Sequence, residues 1–175
     1  VFFHDHFGSI NNDESIDWVE KLFMKNTVYI CVSNILINWA ERNGFRRVFL
    51  LENIVIRENC QKSNNSVNRI IIVGNINKRK NQIFAVRLFK RILQTKNYSL
   101  DIYGKIQDPN YYNFLIKYIF KNNLDKNINF IFNCTEIQKI LYKYSIALHC
   151  ASSETGPLVL LEYMAQGLPF LTSNT

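Results

Sequence analysis

No apolar run in the 175 residues approaches the ~20 needed to cross a bilayer as a helix. Val1-Phe2-Phe3 is too short for a signal-peptide core and lacks a basic leader, which leaves open a leader farther upstream. The four cysteines (Cys31, Cys60, Cys134, Cys150) are widely spaced and contain no Cys-x-x-Cys pair. Neither a zinc site nor a disulfide framework is therefore indicated, and a reducing cytosol fits. Gly-x-Gly-x-x-Gly is absent, which counts against a nicotinamide or flavin enzyme, and no Walker A sequence is present. Asp101-Ile102-Tyr103 is not an Asp-x-Asp metal motif. There is no RNA-binding module, internal repeat or low-complexity segment beyond a general asparagine bias.

What is present is a basic, asparagine- and aromatic-rich chain with a formal charge of +7. That charge suits an anionic partner. Its carriers are scattered, as in Lys78-Arg79-Lys80, Arg87, Lys90, Arg91, Lys139 and Lys143, so a solvated basic surface is the default reading. The chain reads as part of a longer protein, since it starts inside an apolar run and stops just after a strand.

From residue 67 onward apolar runs of strand length alternate with helical periodicity. Expected strands are Arg69–Val73, Ser99–Tyr103, Ile128–Phe132 and Ser145–His149. Expected helices are Asn81–Leu93 with apolar Ile83, Phe84, Val86, Leu88 and Phe89, then Pro109–Phe120 and Glu136–Tyr144. Continuous apolar strands with short connections predict an α/β fold, a Rossmann-like parallel sheet with helices on both faces, incomplete at both ends. Residues 1–55 read as the end of a separate α/β domain, with a helix over Glu14–Phe23, a strand over Val28–Val32, and Ser33 capping a helix that stops at Asn43-Gly44. Residues 56–66 are polar and turn-rich, as a linker would be, and 67–175 form the second, truncated domain.

Two turns in the second domain carry the chemistry. Past His149, the polar loop Ser152-Ser153-Glu154-Thr155-Gly156 leads through Pro157 into a helix in which Leu158, Leu161 and Met164 or Ala165 recur at helical spacing. Free N–H groups at such a helix start, at the carboxyl end of a parallel strand, favour a phosphate. Glu154 and Glu162 bracket that position with seven residues between them. Two carboxylates flanking an anion site could each hold a diol, as ribose and sugar flank the diphosphate of a nucleotide-sugar. The plainer alternative makes Glu154 a helix-dipole partner and Glu162 a solvated helix residue. The second turn is VGNINKRKN, where Gly74 lets backbone approach a ligand and a nearby basic residue could neutralise a diphosphate.

The stretch SSETGPLVLLEYMAQGLPF resembles the Glu-x7-Glu signature of GT-B glycosyltransferases in retaining family 4, the glycosyl transferases group 1. It departs from that pattern at Thr155, Gly156 and Tyr163. VGNINKRKN resembles the same family's Val-Gly-Arg-Leu-x-x-x-Lys-Gly, with Lys80 in the lysine place, Asn75 replacing the arginine and Asn81 the second glycine.

The resemblance implies a transfer of sugar from a nucleoside-diphosphate sugar to a glycan or lipid-linked acceptor, with retention. It implies donor contacts at Gly74, Asn75, Lys80, Gly156, Pro157, Leu158, Val159 and Glu162, with Glu154 positioning the sugar. The family's base-contacting loop falls at Asn133 and Cys134, and its His-Asp turn at His4, with His6 as the fallback. His4, Asp5 and His6 could also hold a metal, but no further ligand nearby supports that. No metal or other cofactor is implied. A cytoplasmic protein is expected, peripheral at anionic lipid on the inner face of the membrane where the acceptor is lipid-linked. Nucleic acid is not an expected partner. A catalytically silent GT-B protein and a non-transferase nucleotide-sugar binder or epimerase remain the alternatives.

Overall fold

The computed structural model describes residues 28–57, 68–154 and 156–174. His4, His6, the helix expected over Glu14–Phe23 and most of the expected linker lie outside the described residues. The chain divides into two compact units, one comprising residues 1–54 with 153–157, the other 55–152 with 158–175.

In the first unit, β1 (Tyr29–Cys31) and β2 (Val48–Leu50) pair in parallel around α1 (Asn34–Arg42). Ser33 caps α1 as expected, its Oγ accepting from Leu36 N at 3.4 Å. Cys31, Ala40 and Phe45 are buried together, and Tyr29 and Trp39 lie against Phe45.

The second unit carries β3 (Arg69–Val73), α2 (Gln82–Ile92), β4 (Ser99–Tyr103), α3 (Pro109–Lys121) and β5 (Ile128–Ile131). There follow a 3-10 helix (Ile137–Lys143), β6 (Ile146–His149), α4 (Leu158–Gln166) and β7 (Phe170–Thr172). All five strands are parallel, in the order β5-β4-β3-β6-β7. The chain therefore winds outward from β3 to one edge, then crosses back to lay β6 on the other side of β3. Parallel sheets need both faces covered, which is why these strands are apolar runs and not alternating ones. One face buries Ile70, Ile72, Leu100, Ile102 and Leu148 against Ala85, Val86 and Phe89 of α2 and Leu115 and Ile119 of α3. The other buries Ile71, Tyr103 and Ala147 against Leu141 of the 3-10 helix and Tyr163 of α4.

Three details differ from the sequence reading. The segment expected as a third α-helix is a 3-10 helix. Its inward residues Ile137, Ile140, Leu141 and Tyr144 fall at i, i+3, i+4 and i+7, the α-helical spacing, so the apolar pattern carries no sign of the tighter turn. In α2, Phe84 is exposed and the buried stripe is Ala85, Val86 and Phe89, joined by Gln82. In α4 the core face is Val159, Leu160 and Tyr163, while Leu158 and Met164 face outward. Leu158–Leu161 is apolar at every position, so the sequence alone carries no phase for that helix.

The second unit also holds a buried ionic network. Asp101, 1% exposed in the middle of β4, accepts from Arg69, from Asn129 Nδ2 at 2.8 Å and from Tyr144 OH at 2.8 Å. The Tyr144 and Tyr103 hydroxyls lie 2.8 Å apart, and the Arg69 guanidinium sits over the Tyr144 ring. Burial opposes ionisation of Asp101 and is the largest single influence. The bonds from Asn129, Tyr144 and Arg69 together outweigh it and hold the carboxyl below its ordinary value. The network ties three neighbouring strands to the end of the 3-10 helix.

Candidate donor-binding site

In an open parallel sheet, ligands bind beyond the strand carboxyl ends where the winding reverses. Here that point lies between β3 and β6, paired through Ile70 with Ile146 and Ile71 with Ala147. The residues immediately past those ends are the loop Gly74–Asn81 and the loop that follows His149. Both turns singled out in the sequence therefore leave the sheet at the reversal point.

The first loop is built for close approach. Gly74 N donates to Tyr103 O at 2.8 Å, and Ile76 N to Lys105 O at 2.8 Å, so the chain past β3 runs on beside the chain past β4. A Cβ on Gly104 would sit 2.1 Å from Gly74 O, so only glycine fits there. A Cβ on Gly74 would meet the Lys80 stem at 3.4 Å, which places that lysine's aliphatic chain directly over the strand end. The loop is pinned below by Ile76, fully buried, and by Gln82, whose Nε2 donates to Asn75 O at 2.9 Å. Asn77 Oδ1 accepts from Lys80 N at 2.8 Å and so closes the turn that presents the lysine. Asn81 takes φ +50, a left-handed conformation that asparagine tolerates best after glycine. That explains how asparagine can stand where the resembling motif has its second glycine. Behind the loop, Tyr111 OH accepts from Ile83 N at 2.9 Å and satisfies one of the orphan donors of α2.

The two loops are joined. Ser152 N donates to Arg79 O at 2.8 Å, and Ser152 Oγ donates to the same carbonyl at 3.2 Å. Buried His149 and Cys150 end β6, and burial pushes the Cys150 thiol up, away from reactivity. Glu154, Gly156 and Pro157 belong to the stretch that groups with the first unit, where Asn53 Nδ2 donates to Gly156 O at 3.0 Å.

Leu158 and Val159 open α4, whose first N–H groups have no partner within the helix and whose dipole favours an anion. The buried Tyr163 ring brings its hydroxyl against the backbone of Val73, which seats α4 beside the carboxyl end of β3. Glu162, one residue earlier, is half-buried. Burial pushes its carboxyl above the ordinary range, and a hydrogen bond from the Gln138 side chain acts the other way. Asn133 and Cys134 follow β5 and are exposed, Asn133 with φ +61. They stand past the outer strand and not at the reversal point. Among the described residues no group of three His, Cys, Asp or Glu side chains could hold a metal ion. A shallow cavity of about 440 Å³ lined by Leu93, Thr95, Lys96, Asn97 and Asn127 lies at the strands' amino ends, away from this chemistry.

The second unit thus brings Gly74, Asn75, Lys80, Leu158, Val159 and Glu162 to one end of one sheet. Sequence reasoning missed Gln82 and Asn77, which fix the first loop, and Gln138, which meets Glu162; it named Ser152 as part of a polar turn without its bond to Arg79. Only Asn77, three residues before a lysine in a turn, had a local signal.

A five-stranded parallel sheet wound in two directions with helices on both faces is the architecture of GT-B glycosyltransferases. Similar solved structures bear this out. TarM of S. aureus, solved with fondaparinux, α-GlcNAc-glycerol and UDP, matches with a TM-score of 0.76 at 17% identity, over 94% of this chain and 34% of that one. HepE of Anabaena, solved with UDP and glucose, matches with a TM-score of 0.72 at 14% identity, over 83% of this chain and 44% of that one. WaaG, a glycosyltransferase involved in lipopolysaccharide biosynthesis, matches with a TM-score of 0.67 at 19% identity, over 82% and 43%. The chain thus spans less than half the length of each of these structures. No curated protein matches it. Residues 56–175 match the family model for glycosyl transferases group 1, and the chain belongs to that family.

Proposed function

We propose that this chain carries the donor-binding part of a glycosyltransferase that moves a sugar from a nucleoside-diphosphate sugar to a glycan or lipid-linked acceptor. The observation that carries the reading is the convergence, at the reversal point of a group 1 family sheet, of a glycine-cleared strand end, Lys80 and the start of α4. Lys80 and the free N–H groups of Leu158 and Val159 stabilise the diphosphate as it leaves. That is electrostatic stabilisation of a departing anion in a preformed site. Glu162 accepts from the ribose hydroxyls. Glu154 holds the sugar and positions its anomeric carbon, and by the resemblance His4 takes the part of the family's histidine at the reaction centre. Protein cations and N–H groups take the place of a divalent metal. In keeping with the family 4 resemblance, the transfer retains anomeric configuration. UDP in the TarM and HepE structures makes a uridine donor the first to test.

One observation favours a second reading. Asn75 stands where the resembling motif has an arginine, so Lys80 is the remaining cation of that pair. A catalytically silent GT-B protein would bind the donor and not transfer the sugar. The test is incubation of the full protein with UDP-, GDP- and ADP-sugars and candidate glycan acceptors, with the product anomer read by NMR. A product that keeps the donor's configuration supports the proposal. Inversion overturns retention, and donor binding without turnover favours the silent reading.

A further inference from the structure

We propose that the outer face of α2 and α3 docks on an anionic lipid surface, its phenylalanine rings entering the interface while its cations meet the headgroups. Each helix carries the same stripe. Phe84, Arg87 and Arg91 on α2, and Phe114, Lys117 and Lys121 on α3, stand at i, i+3 and i+7, and all six are exposed. Residues at that spacing share one side of a helix. The two helices cover the same face of the sheet and touch one another. Near their starts Tyr111 OH accepts from Ile83 N at 2.9 Å, and near their ends Lys90 Nζ donates to Asn122 Oδ1 at 2.7 Å. Between these points the Arg87 guanidinium lies over the Tyr118 ring. The helices therefore run side by side in the same direction, which sets the two stripes next to each other.

The charge on this face is of one sign. Lys90 joins the four cations of the stripes, and neither helix contains an Asp or Glu, so the pair supplies most of the chain's +7 excess. Cations scattered along the sequence are thus gathered by the fold. Their contacts are with neutral groups: Lys90 with the Asn122 amide and Arg87 with the Tyr118 ring. Among them stand three large rings in water, Phe84 at 54% exposed, Phe114 at 48% and Phe120, beside Lys121, at 60%. One exposed phenylalanine is ordinary; three on a face that is otherwise basic call for a partner with both an anionic and an apolar part. A nucleic acid duplex offers phosphates, which answer the cations and leave the rings in water. A bilayer surface offers both partners at once, headgroups for Lys and Arg and the acyl boundary for Phe. The face includes none of the groups assigned to the donor, so it stands apart from that reading.

The test is flotation of the full protein, without nucleotide, on vesicles of phosphatidylcholine alone and of equimolar phosphatidylcholine and phosphatidylglycerol, at low and high salt. Wild type is expected to bind the anionic vesicles, to ignore the neutral ones, and to dissociate as salt rises. Arg91→Gln with Lys117→Gln and Lys121→Gln should weaken that binding by about a hundredfold, at roughly fivefold per cation. Phe84→Ser with Phe114→Ser should weaken it by about tenfold and leave the salt dependence in place. Arg42→Gln with Arg46→Gln and Lys126→Gln removes the same charge from other exposed positions and should cost less than about tenfold. Equal losses in the two charge variants would reduce the binding to general basicity and overturn the proposal. Failure of wild type to bind the anionic vesicles would overturn it, as would binding that ignores the loss of the rings. Tighter binding to a DNA duplex than to the vesicles at the same salt would overturn the choice of lipid. Should the ring pair not fold, Phe120→Ser, the most exposed of the three rings, decides by the same criterion.

Discussion

Asp101 and Glu162 are two carboxylates on the same face of one sheet, and burial acts on them alike but ends differently. Asp101 sits mid-strand, fully buried, with donors from Arg69, Asn129 and Tyr144 that overcome burial and hold it ionised. Glu162 sits near the strand ends, half-buried, with Gln138 as its neighbour and a net push towards the neutral form. The difference separates a group satisfied by the fold from one left with acceptor capacity. A carboxylate whose lone pairs are all used inside the protein holds strands together. One that is half-buried, with burial as the largest influence on its ionisation, fits the proposed role of accepting a ligand's hydroxyls.

The strongest way to break this contrast is Asp101→Ala. It takes the buried acceptor away from Tyr144 and Asn129, while Arg69, 39% exposed, can turn to solvent, and it should cost about 3 kcal/mol in urea unfolding. Next comes Gly104→Ala, whose methyl would meet Gly74 O at 2.1 Å. It should cost about 2 kcal/mol and weaken donor binding as well, because the strand end that Lys80 crosses must shift. A loss of stability with donor affinity intact would separate the strand ends from the site.

Glu162→Gln sharpens the contrast with opposite signs on two readouts. Ligand-free melting temperature at pH 7 should rise, since the substitution removes a half-buried charge. Diphosphate affinity should fall by about tenfold, the loss expected for bonds to a charged acceptor. The pH dependences should also oppose one another. The folded pKa of Asp101 is depressed, so its stabilisation is present above about 3.9 and is lost as pH falls through the folded value. The folded pKa of Glu162 is raised, so its contribution is present below about 4.3 and is lost as pH rises through the folded value. The stabilisation by Glu162→Gln should therefore vanish in acid, where the wild-type carboxyl is already protonated. Thermal melts from pH 3 to 8 check both signs. Met164→Ser, on the exposed side of α4, should change stability by no more than about 0.5 kcal/mol.

The strands and the two ligand turns were legible because each rests on local chemistry: apolar runs closed by Gly74 and Gly104, and a Pro157-led helix start. The burial phase of α4 was not, because Leu158–Leu161 offers four apolar residues in succession and only packing decides which face turns inward. The 3-10 helix was not, because its inward residues Ile137, Ile140, Leu141 and Tyr144 keep the i, i+3, i+4, i+7 spacing of an α-helix. The Asp101 network was invisible for a different reason. Its partners lie 28, 32 and 43 residues away and meet only through strand order and register. Gln138 and Glu162 are likewise joined across a strand and a loop, with no motif spacing to announce them.

The account stands most directly on whether a nucleoside diphosphate binds at the β3–β6 reversal point through Glu162. Melting temperature should be measured for the full protein with UDP, GDP, ADP and their sugars, for wild type and Glu162→Ala. Ligand at ~100 times its dissociation constant should stabilise by roughly 2.7 kcal/mol. The account predicts a clear rise with one diphosphate that Glu162→Ala loses. A folded protein that shows no rise with any of them would contradict it.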